Sequence, residues 1–257
     1  MERPQLWRVH WKQNWIWYKH ERMRMEKLCD TAISIVYRCT LRDVCVVVKK
    51  FFGGTDDLIE YQTEVKVIRK MLRNKMNFVQ AWPLKRRSIA MESMDYDLSK
   101  WKGPVEDIEP MMRTIVASLQ QMVRCGLYYT DMKTQNILCR TPTDGPIEIK
   151  FGDLSACAYE GNWCSQTYPY PTPEYDFDRY DATIVRACEK VVVWGVAIVW
   201  MMLLGHTKMI VEYVSYTLQT PRSARAFQRA VQKMDLPATV KRIIALKVDT
   251  LAAIFCE

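Results

Sequence analysis

The chain has 257 residues, of which 49% are hydrophobic and 26% are charged. This balance is typical of a folded domain and excludes the hydrophobic-poor composition of disordered chains. The formal net charge of +8 would suit an acidic partner, a nucleic acid or a phosphorylated ligand, but it selects none of them.

Cysteine usage and apolar runs indicate where the protein resides. The nine cysteines form no C-x-x-C pair, an odd number cannot be fully bridged within one chain, and three histidines give little support to a zinc site. The N-terminus lacks an apolar core of signal-peptide length, and the longest apolar run, residues 191–204, has the length of a buried helix. We therefore expect an intracellular protein, not secreted, with no membrane span.

Residues 1–28 form a basic, aromatic N-terminal segment. Residues 1–27 carry seven basic and three acidic side chains, so they supply 7 − 3 = +4 of the net charge. Trp7, Trp11 and Trp15 recur every four residues, which predicts one face of a helix. We expect this amphipathic segment to pack on the body of the protein. The alternatives are that it stacks on nucleic-acid bases or rests on a membrane surface.

Residues 29–94 are predicted to form a β-rich lobe. Residues 29–52 are rich in strand-forming side chains, and Asp56 is expected to cap a helix with apolar residues three and four positions apart. Two further strands, residues 78–84 and 88–92, precede a polar linker that opens at Asp95.

Residues 95–257 are predicted to form a second, mostly helical lobe. A helical stripe runs from Ile108 to Met122 and is closed by Gly126, a favoured residue just past a helix end. Short strands at residues 137–140 and 147–151 follow, and the remainder is mainly helical. A β-rich lobe followed by a helical lobe predicts an α+β fold.

Lys49 lies in an otherwise apolar strand, where an unpaired ammonium group would be costly to bury. An anionic partner is therefore expected. Glu64 follows 64 − 49 = 15 residues later on the next helix, and Glu60, one turn earlier, is the alternative. A strand lysine more often reaches solvent, so this pair alone is weak support for a functional site.

The sequence Tyr-Thr-Asp-Met-Lys-Thr-Gln-Asn, residues 129–136, lies between a predicted helix and a short strand. Asp131 and Asn136 are 136 − 131 = 5 residues apart, and this stretch resembles the catalytic loop of the protein kinase family. The resemblance covers roughly residues 29–205. It implies that Asp131 is the catalytic base, that Asn136 is a magnesium ligand and that Lys133 faces the transferred phosphate.

Two later stretches extend the resemblance. Lys-Phe-Gly-Asp-Leu-Ser, residues 150–155, is similar to the strand and turn that bear the family's D-F-G, which implies that Asp153 binds Mg²⁺. Pro173 and Glu174 match the end of the activation segment, the last two residues of A-P-E. Thr167 precedes Glu174 by 174 − 167 = 7 residues, where serine/threonine kinases keep a threonine beside the base.

The resemblance also implies a nucleotide site, with ATP and Mg²⁺ as cofactors and a protein as substrate. Lys49 and Glu64 would belong to the part of this site that binds the phosphates of ATP. Met91 resembles a gatekeeper, and Glu92 and Met94 resemble hinge residues that hold adenine.

Several family features are absent. The glycine-rich phosphate loop would fall at residues 29–36, where Cys29, Thr31 and Ser34 replace its glycines. Glycine lets backbone N–H groups approach phosphate closely, so ATP affinity or phosphate positioning is expected to suffer. Tyr129 and Thr130 replace the His and Arg of H-R-D.

The helical lobe is short for the family. Residues after 205 are few for its last helices, and Lys190 replaces an aspartate expected before the long apolar helix. The expected architecture is a bilobal protein-kinase-like fold with a shortened C-terminal lobe, similar to kinases encoded by large DNA viruses.

Three functions are compatible with the sequence. An active serine/threonine kinase is favoured because the expected functional residues are present: Lys49, Glu64, Asp131, Lys133, Asn136 and Asp153. A catalytically impaired pseudokinase, acting as a nucleotide-binding or regulatory module, is the alternative that the missing glycines support. A nucleic-acid-binding adaptor built on the basic N-terminus is the third.

Overall fold

The computed structural model describes residues 5–12, 15–74, 76–142, 146–165, 167, 184–217 and 221–256. The strands are β1 (Val9–Lys12), β2 (Trp15–Tyr18), β3 (Glu21–Arg22), β4 (Arg24–Asp30), β5 (Ser34–Leu41), β6 (Val44–Phe51), β7 (Ala81–Leu84), β8 (Ser88–Glu92), β9 (Tyr96–Asp97), β10 (Leu127–Tyr129), β11 (Ile137–Arg140), β12 (Glu148–Phe151), β13 (Cys157–Tyr159), β14 (Trp163–Ser165) and β15 (Ile184–Arg186). The helices are α1 (Thr55–Arg73), α2 (Ile108–Arg124), α3 (Glu189–Leu203), α4 (Thr207–Thr217), α5 (Pro221–Gln232) and α6 (Ala238–Ile244). The longer strands come first and most helices follow, as an α+β fold requires.

The chain divides into two compact units. The first contains the described residues of Met1–Asp95 and Arg140–Ser155, and the second contains those of Tyr96–Cys139 and Ala156–Glu257. The first unit thus takes its last strand, β12, from a later part of the chain.

An antiparallel sheet with the strand order β4-β5-β6-β8-β7 forms the centre of the first unit. In β6, Val46 and Val48 are fully buried on one face, and Lys49 points to the other because strand side chains alternate. Helix α1 follows β6 and begins earlier than predicted. Its N-cap is Gly54 rather than Asp56, and the Gly54 N–H donates to Oδ2 of Asp57 at 2.8 Å.

The helix predicted from the tryptophan spacing is wrong, because β1, β2 and β3 form an antiparallel sheet. Along β2, exposure alternates: Trp15 is exposed, Ile16 is buried, Trp17 is half-buried and Tyr18 is buried. Trp7 lies in the short helical turn Leu6–Arg8, Trp11 in β1 and Trp15 in β2. Trp11 pairs with Ile16 and Trp15 pairs with Lys12, so Trp11 and Trp15 lie on opposite faces of the sheet and their spacing marks no common face. Strand β4 then runs across residues 28 and 29, the expected boundary between the N-terminal segment and the β-rich lobe.

The buried face of this N-terminal sheet packs in the first unit, as expected for the amphipathic segment. Its core cluster joins N-terminal side chains to side chains of the five-stranded sheet: Leu6, Val9, Ile16, Tyr18, Met23, Cys39, Val46, Val48, Leu84 and Ala90. Burying this apolar area is the main force that holds the N-terminal strands in place.

Helix α3 lies in the core of the second unit. Its residues from Val191 to Met202 are all buried, which explains why its sequence is apolar on every face. Helix α2 carries the predicted stripe and ends before Gly126, whose φ of 67° suits glycine. Within the described ranges, no helix is long and apolar enough to cross a membrane.

Candidate functional site

A buried ion-pair cluster occupies the first unit. Nζ of Lys49 lies 2.9 Å from Oε2 of Glu64 and 3.4 Å from Oδ1 of Asp153. Glu64, rather than Glu60, is therefore the bonded partner. Strand β6, helix α1 and the segment after β12 each supply one charged side chain to the cluster.

Burial and charge act in opposite directions on this cluster. Burial lowers the pKa of Lys49, but the negative charges of Glu64 and Asp153 outweigh burial and leave the pKa raised, so the ammonium group stays protonated. Oε1 of Glu64 is buried and has no hydrogen-bond partner in the described part of the chain. The carboxylate therefore depends on Lys49 for its compensation.

Asp153 is held in an uncommon backbone conformation. Its φ is 41°, in the left-handed region that aspartate tolerates better than most residues. Oγ of Ser155, which stands where the family pattern has glycine, donates to Oδ1 of Asp153 at 2.7 Å. The side chain is 41% exposed, so its carboxylate remains accessible from solvent.

The turn at residues 31–33, inside the expected phosphate-binding segment, is closed by its own side chain. Oγ1 of Thr31 accepts the N–H of Ile33 at 3.3 Å and the N–H of Ser34 at 3.1 Å. Backbone N–H groups are what a phosphate loop offers to its ligand. Two such groups are here engaged within the turn.

A second charge network, not anticipated from the sequence, surrounds Glu92. Nζ of Lys150 lies 2.5 Å from Oε1 of Glu92 and 3.1 Å from Oε1 of Glu148. Arg140 donates to Oε2 of Glu92 at 3.1 Å and to Oε2 of Glu148 at 2.6 Å. Burial raises the pKa of Glu148, but Lys150 and Arg140 outweigh burial and leave the pKa lowered. Two cations and two anions thus compensate one another.

The same network fixes the backbone at the end of β8. The N–H of Glu92 donates to the carbonyl of Gln80 at 2.9 Å, and Oε1 of Glu92 accepts the N–H of Gln80 at 2.8 Å. Arg140 donates to the carbonyl of Ser93 at 2.7 Å. The side chain and N–H of Glu92 are therefore engaged, so an adenine contact at this residue is limited to its backbone carbonyl.

The other expected nucleotide residues lie near this backbone. Met91 lies in β8 opposite Val47 of β6 and is half-buried, and Met94 is buried two residues beyond the strand. Of the expected activation segment, Thr167 is described, whereas Pro173 and Glu174 lie outside the described residues.

A cluster in the second unit is centred on the carboxylate of Asp131. Oδ1 accepts the N–H of Thr167 at 2.7 Å, and Oδ2 accepts Nζ of Lys133 at 2.7 Å and Nδ2 of Asn136 at 3.3 Å. Lys133 also donates to Oγ1 of Thr167 at 2.9 Å. These hydrogen bonds fix the orientation of the carboxylate.

Buried contacts hold this segment in place. The N–H and Oγ1 of Thr130 both donate to the carbonyl of Ala156, at 2.9 and 3.1 Å. Met132 is buried against Gly195 of α3, where a Cβ would clash with the Met132 side chain. Asp131, between these two anchors, is therefore positioned by the core of the second unit.

The oxygen atoms of two expected ligands suit Mg²⁺. Nδ2 of Asn136 donates to the backbone carbonyl of Asp131 at 3.0 Å. Oδ1 of Asn136 is therefore the atom that could serve as a ligand. The exposed carboxylate of Asp153 is a ligand of the same hard type. Within the ranges that the structure describes, no group of three or more His, Cys, Asp or Glu side chains could hold a metal ion.

Comparison with known proteins gives no family assignment. No protein-family model matches the chain, and no curated protein matches it.

Proposed function

We propose that the chain is a protein kinase that transfers the γ-phosphate of ATP to a serine or threonine hydroxyl of a protein substrate. In this proposal the first unit is the β-rich lobe of a bilobal kinase-like fold, and the second unit is its shortened helical lobe. The observation that carries the proposal is the carboxylate of Asp131, which accepts hydrogen bonds from Lys133, Asn136 and Thr167.

Each cluster has a separate task in the proposed reaction. The acceptor hydroxyl gives its proton to the carboxylate of Asp131 while its oxygen bonds to the γ-phosphorus, and ADP leaves with the bridging oxygen. Lys133 offsets negative charge on the transferred group. Lys49, which Glu64 keeps in position, contacts the phosphates of ATP. Asp153 in the first unit and Asn136 in the second each carry an oxygen atom of the kind that would bind Mg²⁺, and the ion would neutralise phosphate charge when bound.

A specific observation favours a second candidate, a pseudokinase that binds nucleotide or a partner without turnover. Thr31 engages two N–H groups in the segment where a kinase binds phosphate. In this conformation the two N–H groups are engaged by Thr31 and do not face a phosphate, and a measurement of transfer separates the two candidates.

The deciding experiment is a transfer assay with radiolabelled ATP, Mg²⁺ and generic protein acceptors. The wild-type chain should label the acceptor on serine or threonine, and Asp131→Asn should lose transfer but retain nucleotide binding because the base acts on the acceptor. Asp107→Asn, an exposed acid of the same unit, is the matched control and should retain transfer.

Three outcomes discriminate between the candidates. Undiminished labelling by Asp131→Asn would contradict the assigned base and point to a contaminating kinase. Nucleotide-dependent stabilisation without transfer would favour the pseudokinase. A product that contains phosphotyrosine alone would contradict the proposed serine/threonine acceptor.

A further inference from the structure

The outward side of the N-terminal sheet combines aromatic rings with positive charge. His10 pairs with Trp17, and Trp17 pairs with Arg22, so these three side chains form a row across β1, β2 and β3 on one face. Trp15 lies two residues before Trp17 and therefore on the same face. We call these four residues the outer face. The opposite face carries Ile16 and is buried.

The cation of Arg22 is held against an exposed ring. Its guanidinium group lies over the indole of Trp15, which is 38% exposed. Arg22 forms no salt bridge with the described residues, so its charge is not neutralised within them. The outer face thus presents a ring and a positive charge at the same place.

The surroundings of the outer face are also basic. Residues 9–22 contain three lysine or arginine residues and one acid, Glu21. That acid is paired, because Nη2 of Arg42 lies 2.9 Å from its Oε2. Lys19 and His20 are exposed in the turn that joins β2 to β3. The face therefore has a net positive potential.

We propose that the outer face binds single-stranded nucleic acid. Bases stack on exposed aromatic rings whatever their sequence, and arginine and lysine neutralise the adjoining phosphates. Trp15 is the exposed ring of the outer face, and the guanidinium group of Arg22 beside it supplies the cation for the adjoining phosphate. An acidic peptide would match the charge but would offer Trp15 no base to stack on it. This binding is independent of phosphate transfer.

The test is the fluorescence anisotropy of a labelled single-stranded oligothymidine of roughly 12 nucleotides, a typical single-strand site, titrated with the whole chain over a range of salt concentrations. Trp15→Ala should weaken binding about 5- to 150-fold, the loss expected for one stacked base. Arg22→Gln should reduce the slope of log K against log salt by about 0.7, the value for one phosphate contact on a single strand.

The matched control is Trp163→Ala. Trp163 is another exposed tryptophan with a cation over its ring, Arg186, but it lies in the second unit. This variant should bind like the wild type. Circular dichroism and thermal melting would verify that each variant keeps its fold, which the exposure of the substituted side chains favours.

Several results would overturn the proposal. One is equal binding by the wild type and Trp15→Ala, which would indicate charge attraction without stacking. Another is equal affinity for duplex DNA or for poly-glutamate. A third is a wild-type chain that binds no oligonucleotide but self-associates, with the association lost in Trp15→Ala. In that case a second copy of the chain would cover the outer face.

Discussion

Nζ of Lys49 lies 2.9 Å from Oε2 of Glu64, and the Glu64 side chain has no solvent exposure. The pair joins the centre of the sheet to helix α1, and it also places the ammonium group 3.4 Å from Asp153. A buried carboxylate with one compensating cation makes the first unit sensitive to the loss of that cation.

Replacing Lys49 with Met should destabilise the first unit by about 3–5 kcal/mol, because Glu64 is then left buried without a cation. The double variant Lys49→Met/Glu64→Met should recover much of this loss, since no unpaired charge remains. Urea unfolding of the wild type, both single variants and the double variant measures the coupling between the two residues. Lys85→Met, in an exposed turn of the same unit, is the control and should change stability by less than about 0.5 kcal/mol. Additive losses in the double variant would contradict the argument.

A second prediction concerns pH and the buried thiols. Burial raises the pKa of Cys39 and of Cys139 to about 12. The unfolded thiol loses its proton near pH 9, whereas the folded thiol keeps it, so the unfolded state binds fewer protons above that pH. The contribution of each buried thiol to the free energy of unfolding is fully present below pH 9 and is lost as the pH rises from 9 to about 12. The loss reaches at most about 1.4 kcal/mol per pH unit for each thiol.

The free energy of unfolding at a series of pH values from 8 upward measures this dependence. Cys39→Ala should remove one thiol's contribution to the slope, and Cys139→Ala should remove the other's. The raised pKa also predicts slow alkylation of Cys39 in the native protein, because the thiolate is the reactive form. Rapid native-state labelling of Cys39 would show that this part of the first unit opens readily.

A third prediction follows from the turn at Thr31. The near-isosteric variant Thr31→Val removes the hydroxyl that accepts the N–H groups of Ile33 and Ser34. If this chain binds ATP through that segment, the freed groups should strengthen binding by up to about tenfold, the value of roughly one hydrogen bond. Calorimetric titration with ATP and Mg²⁺ measures the change. Weaker binding by Thr31→Val would mean that the closed turn itself is the conformation that binds nucleotide.

Local patterns made parts of the candidate site predictable. The ammonium of Lys49 in an apolar strand required an anion, and the helical spacing of α1 placed Glu64 within reach. Asp131, Lys133 and Asn136 lie within one short segment, which the resemblance to the kinase catalytic loop singled out, but the hydrogen bonds among them were not predicted. The breadth of the β-rich part and the position of α2 also followed from hydrophobic periodicity.

Other features left no local pattern. The tryptophan spacing fits a helix, but the three residues fall in three separate elements, and only the alternating burial along β2 reveals the strand. Glu92 meets Lys150 across 150 − 92 = 58 residues, and the sequence of neither strand indicates the pairing. The hydrogen bonds of Thr31 depend on backbone angles in the turn, which residue type alone does not fix.

The last prediction is that phosphorylation of the segment around Thr167 is not required for transfer activity. This prediction rests on the proposed function: in many kinases an arginine pairs with a phosphorylated activation segment, and the proposed resemblance puts Thr130 at that position. Thr130 is buried and donates to the carbonyl of Ala156. Lys133 and Asp131 already contact unmodified Thr167, so the order of this residue needs no phosphate. Protein treated with phosphatase, with removal of phosphate verified by mass spectrometry, should transfer as fast as untreated protein under conditions that prevent rephosphorylation. Activity that is lost on treatment and restored by an added upstream kinase would show that another basic residue binds the phosphorylated segment.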